Sequence, residues 1–289
     1  METFTCCRRR FIFFGSIVGV LALTTILTAS NYLRRTSWAR AKEPLPRLMS
    51  YTFNNSGGPH SPPHGPTAQL SPAPTGLAKS RESPLDYEFV IAHYNEGLDW
   101  LRPIANRSHV YHKGKDETPP FAIRKWERLP NVGREAHTYL YHILSNYESL
   151  ADVTVFLQGH GSRPDVPFCY PEPMDFVVHA KKNVFCIESF KYSNWNRINH
   201  IGKWRKDLDA GRMRRANLTV GEFYKTLFGS PHPDQVIRCS VGCFSATREN
   251  LRRHPPGFYR TAISFLDDHS NPEEGHYMER FWKIIITPE

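Results

Sequence analysis

Hydrophobic and polar positions follow three regimes along the chain. Residues 11–29 (FIFFGSIVGVLALTTILTA) run 19 positions without a charge. At about 1.5 Å per helical residue that length crosses a hydrocarbon core of about 30 Å. Residues 43–84 show no period and carry nine prolines among Gly, Ser and Thr, a composition that buries too little apolar surface to fold and behaves as an extended spacer. From residue 86 the pattern changes to short apolar runs and amphipathic stretches. Strands are predicted over 87–92 (YEFVIA) and 109–112. A continuous apolar run at 153–157 (VTVFL) has the signature of a strand covered on both faces. Ala136, Tyr139, Leu140, Ile143, Leu144 and Tyr147 recur at helical spacing, with Asn131 and Gly133 at the entry. Further helices are expected over 220–228, 247–253, 257–268 and 274–285, and a strand over 236–246. Strands alternating with helices predict an α/β fold, Rossmann-like, with a mostly parallel sheet sandwiched by helices.

In such sheets ligands bind where the carboxyl ends of strands meet loops. Three polar clusters fall at those ends: Asn95-Glu96, Asn131 to Glu135, and Gln158-Gly159-His160. Polar strand ends are also ordinary in any α/β protein, so the clusters gain weight only if they converge. The 14 histidines suggest no metal centre. His137 and His142 are five apart on one helix and do not face together, and His109 and His112 fall on opposite faces of a strand. No nucleophile elbow and no phosphate-binding loop of the Walker type is present.

Composition and charge then change the picture. The 289 residues carry a formal charge of +9, with 40% hydrophobic and 13% aromatic residues, which excludes a wholly disordered chain. The charge is unevenly placed: residues 1–85 hold +7 and residues 86–289 only +2. The excess therefore flanks the apolar span and its stalk, and a nearly neutral body predicts no nucleic-acid partner. The cationic stretches Lys203-Trp204-Arg205-Lys206 and Arg212-Met213-Arg214-Arg215 read as a solvated face.

A cleavable signal would have an apolar core of about 7–15 residues and a small-x-small site. The span suits an uncleaved signal-anchor better, giving a tail over 1–10, a membrane span over 11–29, a Pro/Ser-rich stem over 30–85 and a body over 86–289. Asn54, Asn106 and Asn217 open N-x-S/T sequons beyond the span, where Cys169, Cys186, Cys239 and Cys243 also lie. Both features suit a lumenal, oxidising compartment. A single-pass protein of the Golgi or ER membrane with a lumenal body is expected, with the lipid bilayer as its first partner. Cys6 and Cys7 beside the membrane are palmitoylation candidates or plain thiols. The four lumenal cysteines allow three disulfide pairings, with free thiols the alternative. Thr219-Val-Gly-Glu222 also reads as a helix capping box.

The segments VIAHYNEGLDWL, LPNVGREAHTYLYHIL, DVTVFLQG, GCFSATRENLRRHPPGFY and EGHYMERFWKIII resemble, in order and spacing, a largely fungal family catalogued as a domain of unknown function, DUF3431. That family is distantly similar to nucleotide-sugar glycosyltransferases of the GT-A type. The resemblance implies a nucleotide-sugar donor bound by Asn95, Glu96, Asn131, Arg134 and Gln158, and a catalytic base near the C-terminus at Glu279. Glu135 is a second carboxylate candidate, and its position also suits N-terminal helix charge. Glu279 equally suits a surface ion pair with Lys283 four residues on. Where the GT-A type carries an Asp-x-Asp metal site, this chain has Gln158-Gly159-His160, which weakens any expectation of a divalent metal. No metal ligand is assigned. The expected function is sugar transfer from a nucleotide donor to an unidentified acceptor hydroxyl. The alternative is a catalytically degenerate accessory or binding domain of the same fold.

Overall fold

In a computed structural model of the chain, the described residues are 84–161 and 169–287, all within one unit, Ala78–Glu289. The tail, the span over 11–29, nearly all of the stem, Cys6, Cys7 and Asn54 lie outside them. Among the described residues no helix is long and apolar enough to cross a membrane.

The chain runs through β1 (Tyr87–His93), a 3₁₀ helix (Asp99–Arg107), β2 (Ser108–His112), β3 (Lys125–Arg128), α1 (Arg134–Ser145), β4 (Val153–Gln158) and α2 (Pro173–Ala180). It continues through β5 (Ser189–Tyr192), α3 (Gly202–Asp209), α4 (Val220–Phe228), β6 (Val236–Cys239) and β7 (Phe244–Thr247). The last elements are α5 (Arg248–Leu251), α6 (Pro256–Ile263) and α7 (Glu273–Ile286). The main sheet has the order β3-β2-β1-β4-β7. Its pairs are parallel except the last, where β7 runs antiparallel to β4. The α/β fold with a mostly parallel sheet flanked by helices is therefore as the alternation predicts.

Strand side chains alternate between two cores. Val90, Ala92, Tyr111, Phe156 and Phe244 face α1, α6 and α7. Phe89, Ile91, Val110, Val155 and Leu157 face the 3₁₀ helix and α2. Burial on both faces explains why β1 and β4 read as continuous apolar runs. Helix α4 starts at Thr219, whose side chain accepts from the Glu222 amide while Glu222 reaches back to the Thr219 amide, so the capping box forms.

The strand expected over 236–246 is two strands in different sheets. β6 pairs antiparallel with β5 in a separate ribbon, and β7 joins the main sheet. The break falls between two half-cystines: Cys186 bonds Cys239 and Cys169 bonds Cys243, with Cα separations of 5.9 and 5.8 Å. Tyr139 Oη donates to the Gly242 carbonyl at 3.0 Å and holds the turn between them. The helix expected over 257–268 is shorter, Pro256–Ile263. The 3₁₀ helix, β3, α2, β5 and α3 were not anticipated.

Helix α7 is anchored at its start by a fully buried carboxylate. Glu273 accepts from Arg215 Nη1 at 2.7 Å and the Ala216 amide at 2.9 Å, and lies 2.9 Å from His200 Nε2. Removing one member of such a network strands its partners. Glu273→Ala is expected to lower stability by about 3 kcal/mol, read as a shift in urea midpoint. Non-reducing peptide mapping is expected to recover Cys169–Cys243 and Cys186–Cys239 and neither alternative pairing.

Candidate active site

The sheet order places a crevice before any side chain is considered. From β1 the chain moves out to β2 and β3, and α1 then carries it back to β4 on the other side of β1. Loops leaving β1 and β4 thus diverge in opposite directions, which opens a cleft at the carboxyl ends of the strands. Register aligns Ala92 with Gln158 and His93 with His112, so those ends are level. A cleft of about 690 Å³ lies there, within the range of small-molecule sites.

The three polar strand-end clusters converge on it. Glu96, Asn131, Arg134, Glu135, Gln158 and His160 all line the cleft. Asn95 does not; its Oδ1 turns away to accept the Lys115 amide at 3.4 Å. Glu96 is fixed by its Oε2 accepting the Tyr94 amide at 2.8 Å and by His93 Nε2, 2.8 Å from its carbonyl oxygen. Gly159 packs against it, and a Cβ there would lie 2.6 Å from Glu96 Oε2 and push the carboxylate aside.

Arg134 reaches the cleft through an unusual entry to α1. Gly133 and Arg134 both adopt left-handed backbone, with φ of 59° and 50°. A Cβ at Gly133 would come within 2.7 Å of Leu266, so the first position must be glycine. The second costs a non-glycine residue about 1–3 kcal/mol. Lys113 offsets this strain: its Nζ donates to the Val132 and Arg134 carbonyls, both at 2.6 Å. Burial pulls the Lys113 ammonium down to about 7 against the opposing charge of Glu135. The Arg134 guanidinium stacks on Trp204 at 4.5 Å and lies 3.4 Å from Glu135 Oε2. Its Nη1 is buried with no hydrogen-bond partner among the described residues.

Glu279 is one layer behind. It is not at the cleft surface but hydrogen-bonds Glu135, which is. Its side chain keeps 23% exposure and lies 3.5 Å from Arg280 Nη1. The ion pair with Lys283 does not form, since Lys283 Nζ donates to Ser189 Oγ at 2.6 Å. Burial, then the charge of Glu135, pushes the Glu279 carboxyl up to about 7, against Arg280 and Arg134. Gly242 packs over Glu135; a Cβ there would lie 2.9 Å from Gln158 Nε2 and 3.5 Å from Glu135 Cγ.

Part of the stretch over 203–215 is not a solvated face. Lys203, Trp204, Asp207 and Arg212 line the cleft, while Arg214 pairs with Asp268 and Glu274, and Arg215 with Glu273. Helix α3 starts at Gly202 and is followed by Gly211, both with positive φ, and a tryptophan within a cationic run between two glycines was the available signal. At the end of β4 the donors are an amide and an imidazole. Among the described residues no group of three His, Cys, Asp or Glu side chains is disposed to hold a metal ion. That donor set does not fit a hard divalent cation. His142 is used elsewhere, its Nε2 3.1 Å from Glu88 Oε1 and its Nδ1 3.0 Å from Tyr111 Oη. Asn106 and Asn217 are exposed, open to a glycan.

Folding raises the Glu279 carboxyl from its ordinary 4.5 to about 7, so the fold favours the protonated acid. The stability this contributes is complete below about pH 4.5 and is lost as the pH rises through about 7. Glu279→Gln fixes the neutral form. It is expected to match the wild type near pH 4.5 and to exceed it at pH 8 by up to about 3 kcal/mol, measured by urea unfolding across that range.

No curated protein and no solved structure matches the chain. A family model described as "Protein of unknown function (DUF3431)" matches residues 89–289. That match takes in both strands of the crevice, the left-handed entry to α1 and the Glu279 helix, and the chain belongs to the DUF3431 family.

Proposed function

We propose that the cleft binds a nucleotide-sugar donor and transfers its sugar to an acceptor hydroxyl. The observation that carries this is Arg134, a guanidinium held in strained backbone at the crevice with a buried, unpartnered Nη1. A diphosphate supplies the forked oxygen acceptors such a group lacks. Lys203 and Arg212 add positive charge to the same wall, although Arg212 is already paired with Asp207 at 2.8 Å.

Transfer needs a base on the acceptor and charge stabilisation on the departing phosphate. Glu135 faces the cleft and takes the acceptor proton. The acceptor oxygen forms the new bond to the sugar's anomeric carbon. The bond from that carbon to the diphosphate breaks, and its electron pair leaves on the phosphate oxygen beside Arg134. Glu279 acts through its hydrogen bond to Glu135. Charge stabilisation by arginine and lysine takes the place of a carboxylate-bound metal. The span over residues 11–29, the two disulfides and the exposed sequon asparagines support a membrane-anchored protein of the Golgi or ER with a lumenal body.

The accessory-domain reading rests on the same departure at Gln158-Gly159-His160. The full-length chain in detergent micelles, screened by thermal shift against nucleotide sugars with and without manganese, separates the two. A donor is expected to raise the melting temperature without manganese, and Arg134→Gln to weaken that donor by about 10- to 100-fold. Release of free sugar from the stabilising donor completes the test; no stabilisation by any donor leaves the accessory reading. For orientation, deglycosylation of the microsomal protein is expected to increase gel mobility, and N54Q/N106Q/N217Q to abolish the change.

A further inference from the structure

Charge on the Glu279 side of the carboxylate pair exceeds what that pair needs. Arg134 touches Glu135, Glu135 hydrogen-bonds Glu279, and Glu279 touches Arg280. Beyond Arg280 stands a second guanidinium. Arg238 on β6 makes no ion pair among the described residues, and its Nη1 donates only to the Cys239 and Ser240 carbonyls at 3.2 and 3.4 Å. Arg238 lies 5.6 Å over the Phe190 ring and Arg280 5.6 Å over Tyr192, two residues further along β5, so the two guanidinium groups share one face of that strand. Burial and the positive charge of Arg280 together pull Arg238 below its ordinary value, with Glu279 opposing. Arg280 Nε and Ser240 Oγ are both buried without a hydrogen-bond partner among the described residues. Arg280 donates its Nη1 to the His276 carbonyl, and its guanidinium lies 5.6 Å above the Tyr192 ring. Arg238 and Ser240 are half-buried, and the Arg280 side chain keeps 17% exposure.

Two partly buried like charges with unused donors are costly unless an anion completes them. Glu279 neutralises at most one, and not at all when protonated. We infer that Arg238 and Arg280, with the Ser240 hydroxyl, form a subsite for an anionic group, a carboxylate or phosphate monoester, carried by the acceptor. The word acceptor rests on the transfer reading above; the anion subsite does not. The Ser240–Gly242 turn places this subsite next to Glu135, since Gly242 packs against Gln158 and Glu135 while Ser240 adjoins Arg238. An acceptor held by its anion at the Glu279 end of the carboxylate pair would present a hydroxyl toward Glu135 at the Arg134 end. The disulfide Cys186–Cys239 fixes the end of β6 and with it the Arg238 backbone.

The test uses the full-length chain in detergent micelles and isothermal titration with glucose, glucuronate, glucose 6-phosphate, inorganic phosphate and nucleoside diphosphates. Glucuronate or glucose 6-phosphate is expected to bind at least 10-fold tighter than glucose, and whichever wins identifies carboxylate or phosphate. Arg238→Gln and Arg280→Gln are each expected to weaken that ligand at least 10-fold and to leave nucleoside diphosphate binding within two-fold. Equal binding of charged and neutral sugars by the wild type overturns the subsite, and needs no variant to fold. So does inorganic phosphate binding as tightly as glucose 6-phosphate, which would make the pair a bare anion hole. Loss of nucleoside diphosphate binding in Arg238→Gln also overturns it, since both guanidinium groups would then serve the donor. Anionic-sugar binding without any nucleoside diphosphate binding upholds the subsite and sinks the donor reading instead.

Discussion

The left-handed entry to α1 is the constraint on which the site depends. Between β3 and α1 the chain must turn back across the carboxyl end of the sheet. It does so through two consecutive residues at positive φ, Gly133 and Arg134. Leu266 and His137 crowd the first so closely that no side chain fits, and Lys113 clamps the carbonyls on either side of it. The Gly133 amide donates to the His269 carbonyl at 2.8 Å, tying the turn to the segment before α7. The places of Arg134 and Glu135 at the cleft follow from that fixed turn. Arg134 is aimed at the crevice, Glu135 stands beside it, and α7 brings Glu279 behind Glu135. The surrounding contacts over-determine this strain, which is how such backbone persists in a fold.

Buried carboxylates elsewhere in the protein show the contrast. Glu273 has three hydrogen-bonding partners, His200, Arg215 and the Ala216 amide. Glu88 sits against His142 and Arg124; burial pushes its carboxyl up, but the hydrogen bond and charges of His142, with Arg124 and His109, hold it below the ordinary value. Glu279 is different in kind, because it hydrogen-bonds another carboxyl, that of Glu135. Like charges packed together are unfavourable for the fold and useful for proton transfer near neutral pH. The structure thus separates carboxylates that hold elements together from the pair that stands at the cleft.

The strong periods were legible. β1, β2, β4, α1, α4 and α7 lie within a residue or a few of where the apolar pattern put them, because each buries a regular stripe or both faces. Three of the five missed elements lack such a stripe, although the 3₁₀ helix and α2 do bury apolar side chains, among them Leu101, Ile104, Phe176 and Val177. β3 and β5 have no fully buried residue, and α3 buries only Asp207, so hydrophobic periodicity had nothing to report. The 236–246 run misled for the opposite reason. Its β-rich pattern carries no clear break, and the interruption coincides with two covalent cross-links whose partners lie 53 and 74 residues away in sequence.

By itself the sequence determined the α/β class, the placing of the polar clusters that hold Glu96, Asn131, Arg134 and Gln158 at strand ends, and the concentration of charge ahead of residue 86. These depend on period, strand direction and composition, which are local properties of the chain. Only the tertiary structure decided the cysteine pairing, that Glu135 rather than Glu279 meets the cleft, that Asn95 turns away, and that Trp204 joins Arg134. Those depend on distances between segments far apart in sequence. Such distances are set by sheet order and cross-links, and no spacing along one chain encodes them.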